Sequence, residues 1–196
     1  RIECYDMAHL QGTDYVGSMV VLEDGLPVKR EYRKFKIKDV PGNDDYAAMK
    51  EVLTRRLSAY VAERDMPVEQ RGDRPGKFAY PPQLILVDGG KGQLGVAIEV
   101  ISELGLEHEI PVASLAKRLE EVFIPNKPDA VDVPRGSDAL FMLQVIRDEA
   151  HRFANSFHRE LRGKRMTKGA LDGVAGLGEA RKKEFFEGAH TFPHDH

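Results

Sequence analysis

Residues 81–94 read PPQLILVDGGKGQL. Four consecutive apolar residues, Leu84 to Val87, predict a strand buried on both faces, as in a parallel sheet. The run stops at Asp88. Gly89 and Gly90 then let the backbone turn sharply or approach a ligand, and a helix is predicted over about 92–104. A second stretch, RIECYDMAHLQGT at 1–13, also runs a short apolar strand into one aspartate, Asp6. Taken singly, Asp88 before two glycines reads equally well as a turn residue. Asp6 does not, because Met7 and Ala8 continue the apolar run past it. If the two strands are neighbours, the carboxylates face each other at about 4.8 Å. Two ionised carboxylates so close repel unless one is protonated or a cation intervenes. A hard divalent cation suits them, since Mg²⁺ takes one or two carboxylates and keeps several waters. The open positions admit a phosphate oxygen and a water, which is the chemistry of phosphodiester hydrolysis.

The flanking sequence fills in an α/β fold. Residues 14–23 and 30–38 are rich in β-branched and aromatic residues, with DGLP between them. Together with 1–7 they predict a three-stranded antiparallel meander. PGND then starts a helix capped by Asp44 or Asn43, with apolar spacing at Met49, Val52, Leu53, Leu57, Tyr60 and Val61. PVEQRGDRPGKFAYPP is a polar loop. IPVASLA is a second buried strand, and EEVFIPNKPDAVDVPRG a small hairpin. Residues 137–161 form a long amphipathic helix on which Asp148 and His151 share a face and Glu149 does not. A histidine there binds metal, carries a proton near neutral pH, or simply packs. The sum is a mixed sheet, three antiparallel strands then parallel ones, flanked by helices.

Composition narrows the class. The 196 residues are 41% hydrophobic and 31% charged, with a formal net charge of -3 and a single cysteine, Cys4. Such a chain builds a core, forms no internal disulfide and offers no cysteine-based zinc site. It fits a reducing cytoplasm, and no apolar run is long enough to span a membrane. The charge balance argues weakly against nucleic acid, but clusters outweigh the sum. Arg159, Arg162, Lys164, Arg165 and Lys168 are such a cluster, and Lys91, Lys117 and Arg118 lie near the aspartates; each is a phosphate contact or a solvated surface charge. GGKGQL lacks the spacing of a nucleotide-binding phosphate loop. The chain opens at Arg1 inside a strand and reads as a piece of something longer.

At these residues the sequence becomes familiar. ECYDMAHLQGT, VPGNDDYAAMKEVLTRRL, PPQLILVDGGKGQL, IPVASLAKRLEEVFIP and LFMLQVIRDEAHRFANSFHRELRGKR resemble the C-terminal half of the UvrC family, the bacterial nucleotide excision repair endonuclease subunits. The resemblance covers about 1–187. It implies an RNase H-like fold in which the first and fourth strands are parallel neighbours. It also implies a DNA cut on the 5′ side of a lesion, made with Mg²⁺ or Mn²⁺ and an Asp-Asp-His triad that maps onto Asp6, Asp88 and His151. In-line attack would leave a 5′-phosphate and a 3′-hydroxyl. Asp45 matches a further functional aspartate, with Asp44 adjacent in the same block. The implied partners are damaged double-stranded DNA and UvrB, with UvrA acting upstream.

LDGVAGLGEARKK resembles the first part of a helix-hairpin-helix pair, with Gly176, Gly178 and Arg181 at a phosphate. EGAHTFPHDH departs from that pattern. The expected organisation is an endonuclease domain at 1–162, a basic linker at 163–169, a partial helix-hairpin-helix at 170–187 and a frayed or expression-derived tail at 188–196. The competing reading is a non-catalytic RNase H-like module that binds DNA or UvrB; a third is an RNA-directed nuclease of the same fold.

Overall fold

The computed structural model describes residues 1–9, 15–37, 40 and 44–172. Seven strands form one sheet: β1 (Ile2–His9), β2 (Tyr15–Glu23), β3 (Leu26–Pro27), β4 (Arg33–Ile37), β5 (Leu84–Asp88), β6 (Val112–Ala116) and β7 (Glu121–Phe123). The order is β3-β2-β1-β5-β6-β7, with β4 also paired to β2. β1, β2 and β4 are the antiparallel meander, joined in register at Asp6↔Ser18 and Ser18↔Lys34. β5 then lies parallel to β1, and β6 parallel to β5. The expected hairpin after β6 is reduced to β7 and one isolated bridge, Val122↔Val131. Pro125, Pro128 and Pro134 lack the N–H groups that a longer ladder needs.

Among the described residues the α-helices are α1 (Asp45–Arg64), α2 (Lys91–Glu103) and α3 (Asp138–Asp172); α1, α2 and the first half of α3 flank the sheet. Side chains alternate along β1, so Glu3 and Asp6 point to opposite faces. α1 lies on the Glu3 side, where Arg56 reaches that carboxylate. α2 packs beside α1, tied by Lys50 to Glu99 and Glu103. α1 comes very close to β2 because Gly17 has no side chain; a Cβ there would lie 2.5 Å from Val52 Cγ2. The first half of α3 lies on the Asp6 side. Between these layers Cys4, Val20, Leu86, Val87 and Leu57 are fully buried. Leu86 and Val87 thus occupy the doubly covered parallel strand that an unbroken apolar run predicts.

α3 departs from expectation. A basic linker was expected from 163, but the helix continues to Asp172. Arg, Lys and Met are good helix formers, and Gly163 costs only about 1 kcal/mol in a helix interior. Thr167 Oγ1 also donates to the Gly163 carbonyl at 2.9 Å. The chain divides into two compact units, Arg1–Asn155 and Ser156–His196, and the division falls within α3. Among the described residues no helix is long and apolar enough to cross a membrane.

Candidate metal centre

The parallel register Tyr5↔Val87 places the next residues, Asp6 and Asp88, side by side on adjacent strands. Both point to the face covered by the first half of α3, which brings His151 between them. His151 Nδ1 lies 2.8 Å from Asp6 Oδ2, and Nε2 lies 3.1 Å from Asp88 Oδ2. Ligand atoms from all three residues fall within 4.8 Å of one another. Gly89 makes the turn that ends β5 at Asp88. Its φ of +145° is accessible to glycine, and a Cβ there would collide with Gln93. Gln93 is held in place because its Oε1 accepts from the Gly90 amide at 3.1 Å.

The electrostatics show an acid pair held together by cations. The carboxylates of Asp6 and then Asp88, each facing one ring nitrogen, favour the protonated imidazole of His151, and its pKa is pushed up to about 9 against its burial. Burial of Asp88 opposes its ionisation, but His151, Lys117 and Arg147 outweigh this and hold its pKa below the usual carboxylate value. Lys117 Nζ is 3.6 Å from Asp88 Oδ2. Even so, Asp88 Oδ1 and His151 Nε2 are buried with no well-aligned hydrogen-bond partner among the described residues. Buried polar atoms are normally paired, so a shortfall at these two atoms is what a ligand-binding cluster would leave. Two carboxylates with lone pairs to spare, and an imidazole that offers one once it gives up its proton, are donors that suit Mg²⁺ or Mn²⁺.

An open cavity of about 420 Å³ lies beside the cluster, lined by Asp6, Asp88, Asp45, Gln93, Lys117 and Arg118 among others. The adjacent aspartates of the α1 start divide their tasks. Asp44 caps the helix, accepting from the Ala47 amide at 3.0 Å. Asp45 lines the cavity, and its carboxylate adds to burial in raising the pKa of the Tyr15 hydroxyl. Lys91 opens α2 beside the site, with its Nζ 5.5 Å from the centroid of the Phe123 ring. Arg159, Arg162, Lys164, Arg165 and Lys168 are exposed on the later turns of α3, in the second compact unit. Gly176, Gly178 and Arg181 lie outside the described residues.

Sequence reasoning missed two polar groups close to the site. Ser18 pairs directly across from Asp6, and its buried hydroxyl has no hydrogen-bond partner among the described residues. Arg147 sits one helical turn before His151 and influences the charge of Asp88. Its spacing of four residues from His151 was the signal available.

The family model of the UvrC RNAse H endonuclease domain matches residues 1–155. This chain belongs to the UvrC family. It is 50% identical over 200 residues to UvrABC system protein C of Parafrankia sp., covering 93% of this chain and 29% of that protein. It is 51% identical over 195 residues to the protein of that name from Streptomyces avermitilis, covering 93% of this chain and 28% of that one. The protein of that name from Mycolicibacterium smegmatis is 50% identical over 186 residues, covering 93% and 26%. The chain therefore spans less than a third of the length of these curated relatives. Among solved structures, Endonuclease V of Ciona intestinalis, crystallised with inosine-containing DNA, overlaps at a TM-score of 0.38 and 18% identity, covering 76% of this chain and 54% of that chain. The sheet order agrees with the RNase H-like fold that the family name carries: the fourth long strand, β5, lies parallel beside the first.

Proposed function

We propose that this chain is a divalent-metal-dependent DNA endonuclease of nucleotide excision repair, cutting on the 5′ side of a lesion in the cytoplasm. The observation that carries this reading is the convergence of Asp6, Asp88 and His151, with Asp88 Oδ1 and His151 Nε2 lacking a well-aligned partner among the described residues, beside a cavity edged by Lys117 and Arg118. Asp6 and Asp88 would hold Mg²⁺ or Mn²⁺, and His151 would give up its proton to join them or manage a proton at its ring nitrogens. Bound there, the metal supplies Lewis acidity and a bound water of lowered pKa. Lys117, Arg118 and Lys91 meet the phosphates on either side of the scissile bond, and Asp45 faces the cavity from α1. The basic turns of α3 and the segment containing Gly176, Gly178 and Arg181 grip backbone phosphates without reading sequence, so affinity falls with salt. UvrB delivers the damaged strand, after UvrA has acted.

The test is incubation of the chain with nicked duplex and with UvrB-loaded damaged duplex in Mn²⁺, beside Asp6→Ala. Metal-dependent cutting that vanishes in Asp6→Ala is the expected result. Equal binding by both proteins with no cutting by either would show a non-catalytic module instead. Cutting of an RNA–DNA hybrid but not of DNA would show an RNA-directed nuclease.

A further inference from the structure

The turn between β6 and β7, residues 117–120, carries two of the cations that edge the cavity. Lys117, Arg118 and Leu119 are all exposed, so they do little to hold it. Glu120 is the one residue of the four that is partly buried. Its Oε2 accepts from Arg147 Nη1 at 2.7 Å, across 27 positions of sequence. Arg147 is itself mostly buried, its side chain 11% exposed, and it also reaches Asp148 Oδ1 at 3.1 Å. Glu120 holds this position with a φ of +54°, in the left-handed region that side-chain-bearing residues avoid. Such conformations persist where surrounding contacts over-determine them, and they cluster at functional sites. Arg147 stands on α3 one turn before His151.

We propose that Arg147 and Glu120 form a clamp that fixes the Lys117–Glu120 turn against the helical turn bearing His151, making Arg147 a positioning residue for the cations that receive DNA phosphate. The phosphate role rests on the nuclease reading; the clamp itself does not. The planar guanidinium suits the task because it donates to Glu120 and Asp148 at once, whereas a lysine ammonium has no such fixed fork. The clamp also keeps a permanent positive charge near Asp88, which adds a smaller share to the effect of His151 and Lys117 on that carboxylate.

The experiment compares the full chain with Arg147→Met, Arg147→Lys, Glu120→Gln, Glu120→Gly and the Arg147→Met/Glu120→Gln double variant. Three quantities are read: amide hydrogen exchange at 117–120, affinity for Mn²⁺ by calorimetry, and affinity for a fluorescent nicked duplex in EDTA. Arg147→Met and Glu120→Gln should each speed exchange at the turn about 10-fold and weaken duplex binding severalfold, and the double variant should be no worse, since all three lose one shared interaction. Mn²⁺ affinity should not fall, because the ligands are untouched and Arg147→Met takes a positive charge away from Asp88. Arg147→Lys should rescue only part. Glu120→Gly should weaken duplex binding as Glu120→Gln does, yet without loss of thermal stability, because glycine adopts this φ without cost. Unchanged exchange in the single variants, or additive effects in the double, would overturn the clamp. So would a parallel fall of stability, metal affinity and duplex affinity in every variant, which would mark a merely structural pair. A wild-type chain that cuts no DNA while exchange behaves as expected would overturn the nuclease reading and leave the clamp standing.

Discussion

Strand β1 carries two carboxylates three residues apart, and they have opposite fates. Glu3 is fully buried, yet every lone pair it offers is used. Arg56 donates to both oxygens at 3.0 and 2.8 Å, Arg1 Nε donates at 2.8 Å, and the Tyr5 hydroxyl at 2.6 Å. Arg56 directs two further N–H groups to the carbonyls of Phe78 and Tyr80. Asp6 is more accessible, yet it shares one histidine with a second acid, and among the described residues Asp88 Oδ1 and His151 Nε2 have no well-aligned partners. A saturated acid holds the fold together, while an acid pair short of partners is available for chemistry. Burial alone would have ranked these two carboxylates the wrong way round as candidates for a site.

That contrast can be broken most forcefully at the site. Asp6→Asn or Asp88→Asn should reduce Mn²⁺-dependent cutting by about 10³-fold or more, because a ligand charge is lost. Thermal stability without metal should fall only modestly, since the variant removes one of two neighbouring acids as well as one of the carboxylates that hold the His151 proton. A variant that melts well below wild type while keeping its activity would reverse the assignment. Glu3→Ala should do the opposite. It strands Arg56 as an unpaired buried charge, at a cost of about 3–5 kcal/mol. Urea unfolding should show that loss, while the fraction still folded cuts at a normal rate.

The two clusters should also separate along the pH axis. The pKa of Glu3 is lowered from 4.5: burial raises it, but the bonds and charge of Arg56 outweigh burial. Its folded value lies below its unfolded one, so its contribution is present above about 4.5 and is lost as pH falls through the folded value. His151 runs the other way. Its pKa is raised from 6.5 to about 9, so its contribution is complete below 6.5 and disappears as pH climbs through 9. Roughly 2–3 kcal/mol is at stake there. Melting in EDTA should therefore fall on the alkaline side because of His151, and on the acid side because of Glu3 together with Asp88, whose pKa is lowered as well. Excess Mn²⁺ should flatten the alkaline limb alone, since the ion takes over the proton's task. An alkaline limb unchanged by His151→Ala would remove the histidine from the cluster's charge balance.

How legible these clusters were follows from sequence distance. Asp88 was readable because LILV is a doubly buried strand that ends on it, and Asp6 because apolar residues follow it. Their adjacency was not readable from periodicity, which says nothing of strand order; the resemblance to the family supplied it, and the Tyr5↔Val87 register shows it. His151 was one of several polar residues on α3 until that resemblance singled it out. The Glu3–Arg56 pair was invisible, because 53 positions separate the partners and a charged residue in a strand reads by default as exposed. Arg147–Glu120 escaped for the same reason. The continuation of α3 through 163–172 escaped because a run of basic residues suits a linker and a helix equally well.

Lys117 offers the smallest effect and the finest distinction between the two kinds of acid. Its Nζ lies 3.6 Å from Asp88 Oδ2, but its side chain is 66% exposed. A pair so open to solvent stabilises the fold by less than about 1 kcal/mol. Lys117→Gln should therefore leave urea unfolding almost unchanged, unlike any change at Arg56. A cation bound to Asp88 must displace this ammonium, so the variant should bind Mn²⁺ somewhat more tightly in the absence of DNA. On the proposed nuclease reading the lysine so freed meets a phosphate, and the variant should then lose affinity for duplex evenly across sequences and reduce the salt slope by about one. If Lys117→Gln instead weakened Mn²⁺ binding, the lysine would belong with Arg56 as a support of its carboxylate.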